Sequence, residues 1–205
     1  MSGLLQRWRA LAGAGADDVG EALIRAWDEP QRHYHARSHL IWLLDEVDRR
    51  LALIQNAAFV RYAIWFHDAI YQPGRSDNEV RSADWAREAL KSEPSLASHV
   101  GAVIEQTGSH WMGEAEDDAA LFLDMDIAIL GAEREVYRQY AVQIRTEFAQ
   151  FPEAAYIAGR STFLKGAIER EVLFRTPLYR DNLDVSAREN MRRELSELLQ
   201  GRLLQ

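Results

Sequence analysis

The chain has 205 residues, 47% hydrophobic and 27% charged, a balance ordinary for a globular protein and long enough to bury a core without cross-links. It contains no cysteine. That excludes disulfides, zinc–thiolate and iron–sulfur sites and cysteine nucleophiles, so any metal must be held by histidine, carboxylate and water. The net charge of -8 argues against a nucleic-acid polymer as partner, because phosphate-backbone affinity needs clustered Lys and Arg.

Lys91 and Lys165 are the two lysines among 24 cations. The rest are arginines, which reflect either a coding bias or a use for bidentate phosphate contacts. No apolar run reaches the ~20 residues of a membrane span. Near the N-terminus Leu4 and Leu5 precede Arg7 and Arg9, the reverse of the charge order in a secretory signal. A cytoplasmic protein is expected.

Helical spacing dominates, and no stretch shows convincing strand alternation. Asp17 and Asp18 are N-cap candidates for a helix over 17–28, with Val19, Leu23, Ile24 and Trp27 on one face. Glu29-Pro30 ends it, and 31–35 is a polar, aromatic connection. Leu40, Leu43, Leu44, Val47, Leu51 and Ile54 mark a second amphipathic helix over 36–54. Residues 57–70 are apolar nearly all round, which predicts a central buried helix stopped by Pro73-Gly74. Ser76 or Asp77 caps a helix with Val80, Ala83, Ala86 and Leu90 inward, and Pro94 opens another to about Thr107. After a loop holding His110, the acidic run 114–118 starts a helix reaching Leu130. Three more follow, over 132–149, 153–173 and 184–200. The expectation is an all-α, single globular bundle of about nine helices spanning 1–205, with the chemistry within 33–131 and the helices of 132–205 packed on it.

The residues that call for explanation are His67 and Asp68, set inside Ile64-Trp65-Phe66-His67-Asp68-Ala69-Ile70-Tyr71. Burying such groups without a partner costs several kcal/mol, and a divalent metal satisfies imidazole and carboxylate together. Candidate partners are His35 and His39, four residues apart and on one face if their helix begins early enough. Others are His110 in its loop, and Asp124 and Asp126 among apolar neighbours. His99 reads as surface. Each of these alone also fits a structural role, as a hydrogen-bonded histidine or a capping aspartate. There is no Walker loop, no G-x-G-x-x-G after a strand and no G-x-S-x-G elbow.

The order His39, His67-Asp68 and a distant Asp126, in helical context, resembles the H…HD…D signature of the HD-domain metal-dependent phosphohydrolase superfamily. Tyr34-His35-Ala36-Arg37-Ser38-His39-Leu40, Phe66-His67-Asp68-Ala69-Ile70-Tyr71, Asp77-Asn78-Glu79-Val80-Arg81-Ser82-Ala83, Thr107-Gly108-Ser109-His110 and Asp124-Met125-Asp126-Ile127-Ala128-Ile129-Leu130-Gly131 are similar to a bacterial subfamily of HD phosphohydrolases. The likeness covers 33–131 and is looser beyond 132. It implies a metal set of His39, His67, Asp68 and Asp126, with Asp124 as the alternative last aspartate and His35 as a neighbouring ligand, a phosphate contact or a replacement for His39. It implies an acidic role near the metal for Glu79, and a second metal or the phosphate for His110.

A mixed N/O set suits Mn, Fe, Ni, Co or Zn, one or two per chain, better than Mg or Ca. Such an ion polarises a phosphoryl oxygen and lowers the pKa of its water from ~15.7 towards ~7. Asp68, Glu79 and His110 are then the catalytic candidates, with an uncharged His or a Glu taking the water proton. His35, Arg32 and Arg37 are the substrate-binding candidates, and Arg75 a further phosphate contact. The expected function is metal-dependent hydrolysis of a phosphate ester, the partner being a small phosphorylated metabolite or nucleotide, in a chain that can form a homo-oligomer. The alternatives are a non-catalytic metal- or nucleotide-binding regulatory module, and a structural helical protein whose His and Asp pair in the core.

Overall fold

The computed structural model describes residues 3–111, 113–115 and 117–202. Ten α-helices and three 3-10 turns account for the regular structure among the described residues, without a strand, as expected for an all-α chain. The contacts divide the chain between Leu123 and Asp124 into two compact units.

The first unit holds α1 (Gly3–Ala12), α2 (Asp17–Trp27), α3 (Arg37–Arg49), α4 (Ala57–Phe66), α5 (Asn78–Ala89), α6 (Pro94–Thr107) and the opening turns of α7 (Asp117–Ile127). As the all-round apolar pattern of 57–70 predicts, α4 is central: Val60, Ala63, Ile64, Trp65 and Phe66 are fully buried, and α3, α5 and α6 pack on it. Asn56 caps it, accepting from the Phe59 amide at 3.0 Å.

Helix α1 is absent from the sequence expectation. It is short, and its Leu4, Leu5 and Trp8 are a weak signal until Trp8 meets Tyr62, Trp65 and Phe66 edge-on. Its Nε1 donates to Ala16 at 2.7 Å. A Cβ at Gly20 would stand 2.3 Å from the Trp8 ring, so that glycine is what lets α2 approach α1. Asp17 is a first-turn residue of α2 rather than its cap, and its carboxylate instead takes Arg9 from α1. That charge-assisted pair holds the Asp17 carboxyl below its ordinary range. Asp118 likewise serves a distant segment, accepting from the amides of Gln55 and Asn56 at 3.0 and 2.6 Å.

The second unit holds the end of α7 from Asp124, a 3-10 turn (Ala128–Gly131), α8 (Arg134–Glu147), α9 (Glu153–Ile168) and α10 (Pro177–Leu199). Helix α10 begins well before the expected 184, at Pro177, whose fixed φ suits a first helical position. Gly131 admits α10 closely, since a Cβ there would lie 2.9 Å from the Leu183 carbonyl oxygen. Asn190 secures the same turn by donating to Leu130 and Ala132 at 3.0 and 2.9 Å. Among the described residues no helix is long and apolar enough to cross a membrane.

Candidate metal centre

The site begins with where α4 stops. Its helix closes at Phe66, not at 70, and His67 keeps helical dihedrals as the C-cap. The carbonyls left without helical donors at such an end need other partners. The His67 amide takes Ala63, the His67 ring takes Ile64, Trp27 Nε1 takes Trp65 at 3.0 Å, and the Ala69 amide takes Phe66. Ser82 of α5 then both donates to and accepts from the backbone of Ile70, and the buried Asn78 side chain brackets Gln72 in the same way. The His67-Asp68 turn is thereby fixed by its own cap and by α2 and α5.

One ligand-capable atom from each of His39, His67 and Asp126 lies within 4.8 Å of the others, a group that could hold a metal ion. His39 sits in the first turn of α3, His67 at the end of α4 and Asp126 on the last turn of α7. Both histidines are buried, at 5% and 1% exposure, and Asp126 is half-buried. The imidazole rings of His39 and His67 are 5.5 Å apart, with Trp27 and Phe122 against His67 at 5.4 and 5.6 Å.

The hydrogen bonding of His67 bears on whether a metal fits. Its Nδ1 is 2.9 Å from the Ile64 carbonyl oxygen, which can only accept, so Nδ1 carries a proton. In the neutral tautomer Nε2 then offers a lone pair, the arrangement common to metal-ligating histidines. Asp68 Oδ2 lies 3.2 Å from that Nε2. Two acceptors at such a distance repel unless a proton or a cation stands between them. Two ligands held about 2.0–2.2 Å from one ion at ordinary angles stand roughly 3–3.5 Å apart, so the pair accommodates an ion. Asp68 is thus in contact with the three-residue group without being a member of it.

The remaining candidates separate. His35 precedes α3, which starts at Arg37, so it does not share a helical face with His39, yet its ring still lies edge-on to the His39 ring at 6.3 Å and stacks on Tyr71 at 4.2 Å. Asp124 is occupied elsewhere: it accepts from the amides of Arg175 and Thr176 at 2.8 and 2.7 Å and from the Thr176 hydroxyl at 2.6 Å, tying down the start of α10. Desolvation raises its carboxyl above the ordinary value despite those bonds.

Arg32 is fully buried at its side chain and does not offer the open fork expected of a phosphate contact. Nη1 donates to the carbonyls of Asp68 at 2.5 Å and His35 at 3.3 Å, Nη2 to Ala69 at 3.2 Å, and Nε to Glu29 at 3.0 Å. Arg37 is half-exposed and pairs with Asp28, and Arg75 is exposed and pairs with Asp77. Glu79 lies against Gly108 at the end of α6. His110, two residues on, adopts φ 39, a left-handed conformation uncommon outside glycine and often found at functional sites. Neither belongs to the three-residue group. His99 is exposed.

The backbone partners Trp27, Asn78 and Ser82 escape a sequence reading, because their role is to hold carbonyls of a distant turn. Comparison with protein-family models, curated proteins and solved structures finds no match.

Proposed function

We propose that the protein is a metal-dependent phosphohydrolase acting on a phosphate ester, with a nucleotide or a small phosphorylated metabolite as substrate class. The observation that carries this reading is the gathering of His39, His67 and Asp126 at ligand spacing, in the order of the HD signature. In this reading those three hold a divalent ion and Asp68 joins or flanks them. A bound ion supplies Lewis acidity towards a phosphoryl oxygen and an acidified water.

The chain's own residues do the rest. The Ile64 carbonyl keeps the His67 ring in one orientation and one tautomer. Trp27 and Phe122 shield that ring from solvent and so strengthen electrostatic interactions beside it. His35, stacked on Tyr71, and the half-exposed Arg37 are the proposed substrate contacts. Glu79 and His110 are the proposed acceptors for the water proton.

The test is elemental analysis of the purified protein followed by a panel of phosphomonoesters and nucleotides with Mn²⁺, Co²⁺ or Ni²⁺ added. Metal-dependent release of phosphate that His67→Ala abolishes is the expected result. Tight metal and nucleotide binding without any product would favour a regulatory module instead.

A further inference from the structure

We infer that Arg32 is a positioning residue of the metal centre, a clamp that sets the His67-Asp68 turn against the segment leading into His39. The inference rests on the metal-site reading above. Arg32 is not a member of the ligand group, yet it reaches both of the chain segments that supply the histidines. Its Nη1 bridges the Asp68 carbonyl, at 2.5 Å, and the His35 carbonyl, at 3.3 Å. Its Nη2 holds Ala69 at 3.2 Å. One rigid planar group therefore fixes the distance between the residue before Ala36, where α3 is about to begin, and the residue after His67.

The guanidinium is itself immobilised. Glu29 holds its Nε at 3.0 Å, and the Trp27 and Tyr71 rings lie 5.7 and 5.6 Å from its central carbon. Those two rings also touch the histidines: Trp27 lies against His67 and His39, and Tyr71 stacks on His35. A cation held behind the turn by three carbonyls and a carboxylate is stable in a buried place, because its donors are matched by acceptors. Lysine would keep the charge but not the fork, since a single ammonium cannot hold three carbonyls in that planar arrangement. Arg32→Lys therefore separates geometry from charge.

The consequence is specific. Outer partners that orient metal ligands typically contribute about 10–100-fold in metal affinity. Arg32→Lys is expected to weaken Mn²⁺ binding by about that factor and to alter the visible spectrum of bound Co²⁺, which reports ligand geometry, while the far-UV helical signal is kept. Arg32→Ala is measured alongside it with and without methylguanidinium, which is expected to restore both affinity and spectrum by refilling the clamp. Wild-type Mn²⁺ affinity and an unchanged Co²⁺ spectrum in Arg32→Lys would overturn the inference, as would an Arg32→Ala protein whose binding methylguanidinium leaves unaltered. If the wild-type chain itself binds no divalent ion, the metal-site reading fails first, and that result is distinct from a normal site in the Arg32 variants.

Discussion

His67 Nδ1 donates to the carbonyl oxygen of Ile64, one turn back at the end of α4, at 2.9 Å. That bond fixes the ring's orientation and tautomer and turns Nε2 towards Asp68 Oδ2, 3.2 Å away. His67→Ala is expected to weaken divalent-metal binding by more than the ~100-fold typical of an outer partner, with helical content retained. Titration calorimetry with Mn²⁺, read beside circular dichroism, checks both halves of the statement.

Asp124 and Asp126 are two residues apart, and of the two only Asp126 belongs to the group that could hold a metal, while Asp124 is taken by backbone amides. Asp124→Asn places an amide donor among backbone N–H groups that need an acceptor. About 1–3 kcal/mol of stability should be lost, measurable by urea unfolding, with Mn²⁺ affinity unchanged. Asp126→Asn should do the reverse, lowering Mn²⁺ affinity at nearly constant stability. Exchanged phenotypes would make Asp124, not Asp126, the ligand.

The second unit carries a buried ion pair. Arg160 Nε and Nη2 lie 2.8 and 3.0 Å from the Glu194 carboxylate, which also accepts from the Tyr137 hydroxyl at 2.5 Å. Removing one partner strands the other charge, so Glu194→Gln is expected to destabilise by about 3–5 kcal/mol. Replacement of both by apolar residues of similar volume should recover much of that loss. A double variant no better than the single one would show that the pair is worth more than the burial it requires.

Three tyrosines surround that pair, and burial, the largest influence on each, raises them: Tyr137 and Tyr140 above their ordinary value, and Tyr156 up to about 12. Between about pH 10, the ordinary tyrosine value, and the raised folded value, the folded chain holds protons that the unfolded chain has released. Stability from these groups is therefore complete below about pH 10 and falls as the pH rises through the folded values. Urea midpoints between neutral and strongly alkaline pH should show this decline, and Tyr156→Phe should lessen it. A Tyr156→Phe protein with the same alkaline decline as wild type would exclude Tyr156 as a contributor.

Much of this was legible in the chain. The 3.6-residue pattern and the five prolines locate most helices, and Pro94 and Thr107 bound α6 as expected. Periodicity failed where tertiary partners decide. Helix α1 depends on aromatic contacts from α4, and α10 extends back to Pro177 beyond its apolar repeat. Helix α4 stops at Phe66, where the carbonyls of Ile64 and Trp65 accept from the His67 ring and from Trp27 rather than from the next turn of helix. In the site, residue type and order marked out His39, His67 and Asp126. Spacing could not tell Asp124 from Asp126, because the difference lies in two amides some fifty residues later. Arg32 was the least visible case: it is rich in donors, and only the fold shows that they are turned to three backbone carbonyls and Glu29.

The central claim is that helices remote in sequence converge to hold one divalent ion. Anomalous diffraction at the manganese edge from crystals soaked in Mn²⁺ tests it most directly. The account predicts a peak at coordination distance from His39, His67 and Asp126, with Asp68 beside it, and its loss in His67→Ala crystals. A strong manganese peak elsewhere with none at these residues, or a peak that persists in His67→Ala, would contradict it.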